Sequence, residues 1–131
     1  MQMPNQAGYQ AYQKNRFETA SPHRLILMLY EGALKYASQA ERALLEQDIV
    51  ASNRLLLKIQ DIVYELIATL DMKQGGQIAT NLQSLYFYVI DCLVQANLQK
   101  NHEKLQEVVE ILQSLKSAWE QIGKEVALGK G

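Results

Sequence analysis

Both prolines of this chain, Pro4 and Pro22, lie at or before the start of its first predicted helix. Proline removes a helical hydrogen bond and clashes with the preceding turn, so the whole stretch after Pro22 is free of the strongest helix breaker. The sequence also marks where helix begins. Ser21 is suited to accept a hydrogen bond from the unpaired N–H groups of a first turn, and Pro22 fits the first helical position, where no N–H is required. The polar residues before Ser21 give way there to the run Leu25-Ile26-Leu27-Met28-Leu29-Tyr30.

Beyond that point, apolar residues recur at spacings of three and four, the helical period. The spacing predicts a first helix over Pro22–Glu46 with the seam Ile26, Leu29, Ala33, Tyr36, Ala40 and Ala43. A second runs over Ile49–Asp71 with Leu56, Ile59, Val63, Leu66 and Leu70. A third runs over Gln77–Gln99 with Ile78, Leu82, Leu85, Val89, Cys92 and Ala96. A fourth runs over His102–Val126 with Leu105, Val108, Leu112, Leu115, Trp119, Ile122 and Val126. The breaks are short: Gln47-Asp48, the Gly75-Gly76 pair, and Asn101, which is suited to cap the fourth helix. Gly123 weakens the last turns of that helix. Short links fold each helix back on the one before. The expected fold class is all-α, an antiparallel up-down four-helix bundle over residues 21–131 preceded by an N-terminal arm over residues 1–20.

Composition narrows the function classes. Of 131 residues, 13 are basic and 14 acidic, for a net charge of -1, and the basic residues are scattered rather than clustered. A nucleic-acid partner is not expected of such a surface. No apolar run has the length of a spanning helix, and the first sixteen residues lack a secretory apolar region, so no membrane association is expected. The single cysteine, Cys92, makes no internal disulfide, and a reducing cytoplasm is the natural compartment.

Catalytic and metal-binding patterns are missing. No Glu-x-x-His occurs, and the four seams carry neither carboxylate nor imidazole. His102-Glu103 is not followed by a second His at zinc-protease spacing, and Gly75-Gly76 follows no strand. His23 and His102, each in a first helical turn, are expected to be exposed. Cys92 on a seam is expected to be a packed, inert thiol. No metal site and no catalytic residue are expected.

The helices carry more apolar surface than a bundle needs. The fourth has a clean polar face of Gln106, Glu110, Gln113, Ser117 and Gln121. The third has a second stripe, Phe87, Val94 and Leu98, roughly opposite Val89 when residues are placed at helical steps. The second helix adds Val50, Leu57, Tyr64 and Ala68, and the first adds Leu27, Leu34 and Leu45. A wider core accounts for the residues flanking the seams, such as Leu55, Ile62, Ile67 and Leu93. It does not account for Phe87 and Val94, whose partner is the arm, a second copy of the chain, or another protein. The arm itself carries Tyr9, Tyr12 and Phe17 among Gln and Asn. It reads either as a frayed terminus or as a segment that docks on the domain.

Several blocks, in order, resemble one family, the flagellin-specific export chaperones of the FliS type. They are Ala11-Tyr12, Thr19-Ala20-Ser21-Pro22 through Met28-Leu29-Tyr30-Glu31-Gly32-Ala33, Leu70-Asp71, Gly75-Gly76-Gln77-Ile78-Ala79-Thr80-Asn81-Leu82, Leu85-Tyr86 with Tyr88, Gln95-Ala96-Asn97-Leu98 and Ala118-Trp119. The resemblance spans nearly the whole chain. It implies a cytoplasmic chaperone, not an enzyme, that binds the C-terminal segment of flagellin and prevents its premature polymerisation. It further implies a contact with the flagellar export gate through the flagellin complex, and no nucleotide or other cofactor. On that reading Leu57, Tyr64, Phe87, Val94 and Leu98 face flagellin. Tyr9 and Tyr12 of the arm, with Phe17, cover apolar surface until flagellin displaces them. The expected state is a monomer or weak dimer. A self-associating helical-bundle adaptor built on Phe87 and Val94, and an enzyme with a site between helices, remain as readings from other classes.

Overall fold

The structure, a computed structural model of the chain, describes residues 21–127, with side chains through Gly123. Four helices follow one another: α1 (Pro22–Leu45), α2 (Ile49–Ala68), α3 (Gly76–Gln99) and α4 (His102–Ala127). No strand occurs among the described residues. α1 packs on α2 and α4, and α3 packs on the same two, so the helices form a closed ring in chain order. Contacts between opposite ends show the alternating direction. His23 at the start of α1 meets Trp119 late in α4, and Asn53 early in α2 meets Asn97 late in α3. The all-α four-helix bundle expected from the seams is the observed fold.

The start signals work as read. The Ser21 hydroxyl accepts from the Arg24 N–H at 3.1 Å. Asp48 caps α2 by accepting from the Ala51 N–H at 3.0 Å, and Asn101 caps α4 through the N–H groups of Glu103 and Lys104 at 2.9 and 3.2 Å. Gly75 and Gly76 serve different ends. A Cβ on Gly75 would lie 2.6 Å from the Asp71 carbonyl oxygen and 2.6 Å from the Ala79 Cβ, whereas Gly76 adopts φ +54°, which favours glycine.

The core follows the seams: Leu56, Ile59, Val63, Leu66, Val89, Leu105, Val108 and Leu112 are all inaccessible to solvent. Four expectations are corrected. α2 ends at Ala68, not Asp71. There the Thr69 hydroxyl donates back to the Leu66 carbonyl at 2.6 Å, and the Asp71 carboxylate accepts from the Lys73 and Gln74 N–H groups. These local bonds compete with the helical ladder. Ile78 is not core but 73 % exposed. The inward face of α3 near its start is centred on Ala79 and Tyr86, both buried, which turns Ile78 outward. Ile122 is 46 % exposed and lines a pocket at the end of the bundle, where α2 has already ended at Ala68. The side chain of Val126 lies outside the described residues.

The fourth correction concerns His23, which is not freely exposed. Its ring stacks on Trp119 with centroids 5.0 Å apart and planes 9° from parallel. Its Nε2 lies 2.7 Å from the Trp119 carbonyl oxygen, and the Trp119 indole N–H donates to the His23 carbonyl at 2.9 Å. The pair clasps the first turn of α1 to the end of α4. Gly123 makes room for it, since a Cβ there would collide with the His23 ring. Overpacking costs about 1–3 kcal/mol. Alanine gains only about 1 kcal/mol over glycine in a helix. Gly123→Ala is therefore expected to lower the urea unfolding midpoint, against the usual sign for an exposed helical glycine. A raised midpoint would show that the clasp yields without cost.

Candidate functional site

The five residues singled out on the second and third helices are on the outside of the bundle. Leu57 and Tyr64 on α2, and Phe87, Val94 and Leu98 on α3, are all exposed. α2 and α3 are antiparallel neighbours, and the Asn97 side-chain N–H donates to the Asn53 side-chain oxygen at 2.8 Å. That bond fixes their register. Four residues forward in α2 and four back in α3 bring Leu57 level with Leu93, next to Val94. Eleven residues bring Tyr64 level with Tyr86, next to Phe87. At the far end, Ile49, Val50 and Leu98 flank the asparagine pair in a depression of about 390 Å³. The structure thus places the two stripes at matching heights on adjacent helices. Tyr9, Tyr12 and Phe17 lie outside the described residues.

A second apolar feature was not legible in the sequence. At the end of the bundle where α1 and α3 start and α2 and α4 stop, a pocket of about 310 Å³ is lined by Ile26, Leu70, Ile78, Leu82, Trp119 and Ile122, with Tyr30 and Tyr86. Ile78 and Ile122 are the two seam residues that are exposed among the described residues. Their surplus at the helix ends was the available signal. Tyr30 and Tyr86 lie across the bundle diagonal, 3 % and 2 % exposed, and their hydroxyl oxygens are 2.6 Å apart. Burial first, then the hydrogen bond to Tyr86, push the Tyr30 phenol well above its ordinary range. Burial also raises Tyr86, against a lowering contribution from the same bond. Both phenols are neutral at pH 7.

The interior offers little chemistry. The buried Ser52 hydroxyl donates to the Ile49 carbonyl at 3.0 Å. Cys92 is 2 % exposed with its Sγ 3.8 Å from a Glu107 carboxylate oxygen, and burial raises its thiol pKa. No group of three metal-ligating side chains occurs among the described residues, and no described helix is long and apolar enough to cross a membrane. This is a helical scaffold whose distinctive chemistry is apolar surface, on the flank of α2 and α3 and at one end.

The family follows from comparison with known proteins. The family model described as "Flagellar protein FliS" matches residues 5–126. The flagellar secretion chaperone FliS of Salmonella typhimurium is 39% identical over 126 residues, covering 92% of this chain and 93% of that one. That of Campylobacter jejuni is 37% identical over 120 residues, covering 92% and 94%. That of Bacillus subtilis is 36% identical over 119 residues, covering 91% and 88%. A solved structure titled "Crystal structure of flagellar chaperone from bacteria" superposes with a TM-score of 0.75 over 93% of this chain and 99% of that one, at 20% identity, and supports the fold. The chain belongs to the FliS family of flagellar secretion chaperones.

Proposed function

We propose that this chain is a cytoplasmic export chaperone that holds the C-terminal segment of flagellin on the flank formed by α2 and α3. Holding it there prevents premature polymerisation and assists delivery to the flagellar type III export apparatus. The observation that carries the reading is the exposure of Leu57, Tyr64, Phe87 and Val94 at matched heights on two adjacent helices. Exposed apolar clusters mark partner surfaces, and an amphipathic segment laid between helices is the matching recognition mode. Burial of apolar area contributes about 25 cal/mol per Å², less the cost of ordering the client. No nucleotide or other cofactor enters, and nothing in the reading calls for catalysis.

Calorimetry of the full chain with flagellin tests this. One-to-one binding is expected, and it is expected to vanish when the C-terminal segment of flagellin is deleted. Equal binding of the truncated flagellin would refute the segment assignment. A concentration-dependent dimer in ultracentrifugation, undisturbed by flagellin, would favour the self-associating adaptor instead.

The arm takes a role in the same reading: Tyr12, with Tyr9 and Phe17, covers apolar surface and competes with flagellin. Deleting residues 1–16 is expected to leave helicity intact, raise binding of the dye ANS, and tighten flagellin binding. Unchanged dye binding together with unchanged affinity would reduce the arm to a tail.

A further inference from the structure

We propose that the buried Tyr30–Tyr86 hydroxyl pair makes the bundle-end pocket selective for an apolar side chain of the flagellin segment accompanied by one main-chain carbonyl. The proposal rests on flagellin being the client and adds a specificity-determining element to its site. Two phenol groups carry two protons between them. The hydrogen bond that joins them, 2.6 Å between oxygens, uses one. The other has no acceptor among the described residues. Both tyrosines are more than nine-tenths buried and both line the pocket. The remaining wall is dominated by Ile26, Leu70, Ile78, Leu82, Trp119 and Ile122, so the occupant must be largely apolar.

The donor count then sets what else the occupant brings. A wholly apolar occupant would strand the O–H away from water, and a second acceptor would itself be stranded. A carboxylate is disfavoured, since the wall contains Asp71 and no basic side chain. One carbonyl fits. The last turn of a helix supplies it, because its final carbonyls lack internal partners. The pocket lies where α2 ends and α3 begins, the two helices that form the flank, with Leu70 and Ile78 in its lining. Met72, 40 % exposed, lies in the turn between them. A segment lying along the flank toward the start of α3 runs toward the pocket.

Trp119, the single tryptophan of the chain, lines the pocket and reports on it. The full chain is titrated with a tryptophan-free C-terminal segment of flagellin, followed by calorimetry and by tryptophan emission in parallel. Emission is expected to shift and to saturate with the calorimetric signal. Tyr30→Phe with Tyr86→Phe removes both partners of the internal bond, a nearly neutral change for the free bundle. This double variant is expected to keep its helicity and melting temperature and to bind about tenfold more weakly. Unchanged affinity would make the pair an internal tie only and overturn the proposal. Calorimetric binding without any emission shift would place the segment elsewhere. Absence of calorimetric binding to the wild-type chain would instead refute flagellin as client, a separate failure. An emission change on Phe17→Ala in the free chain, with none on adding flagellin, would make residues 1–20 the occupant and overturn the proposal. Should the double variant lose helicity, the single variants decide: one is expected to bind as wild type and the other about tenfold more weakly, and two unchanged affinities would overturn it.

Discussion

Phe87→Asp combined with Val94→Asp is expected to abolish flagellin binding while the bundle stays folded. Both side chains are partly in water in the free chain, 46 % and 38 % exposed, so each new carboxylate remains solvated there. Aspartate also differs little from valine or phenylalanine in helix propensity. In the complex the same carboxylates would face an apolar client with no partner. Burying an unpaired charge costs several kcal/mol, on the order of a thousandfold in affinity. Calorimetry reads the lost affinity, and circular dichroism with thermal melting reads the preserved fold. Normal binding by the double variant would move the client to another face. Unfolding would show that these residues belong to the core.

Leu66→Asp is expected to do the reverse and unfold the chain. Leu66 is inaccessible to solvent on the α2 seam, within the main cluster of buried residues. A carboxylate there has no water and no base to pair with. The penalty of several kcal/mol is comparable with the whole stability of a small domain, about 5–15 kcal/mol. Loss of the helical circular dichroism signal, or a melting temperature lowered by tens of degrees, checks it. A stable Leu66→Asp variant would mean that the seam does not face the core. The two substitutions form a pair: the same charge on α3's outer stripe and on α2's seam separates binding from folding.

The seams were legible because helical periodicity is a local property. Residues such as Ile59, Val63, Val89 and Val108 announce their burial by spacing alone, and Ser21, Asp48 and Asn101 announce helix starts through their side-chain chemistry. The exposed Leu57, Tyr64, Phe87, Val94 and Leu98 were legible as what the seams leave over. What was not legible depends on pairing between distant residues. Tyr30 and Tyr86 are 56 positions apart, and neither spacing nor composition indicates that their hydroxyls meet. His23 and Trp119, 96 positions apart, likewise required the fold before their clasp was visible. The missed end of α2 has a local cause: Thr69 and Asp71 bind nearby backbone in a way that apolar spacing does not register. Ile78 and Ile122 keep the helical spacing of their seams, yet both are exposed and line the end pocket. Spacing alone does not distinguish such a residue from a buried one.

Site-specific photo-crosslinking tests the central claim most directly. A benzophenone side chain is placed at position 94, on the exposed stripe of α3, and separately at position 113, on the polar face of α4. The account predicts that the position 94 variant crosslinks to the C-terminal segment of flagellin and that the position 113 variant does not. Crosslinking from position 113 with none from position 94 would contradict it.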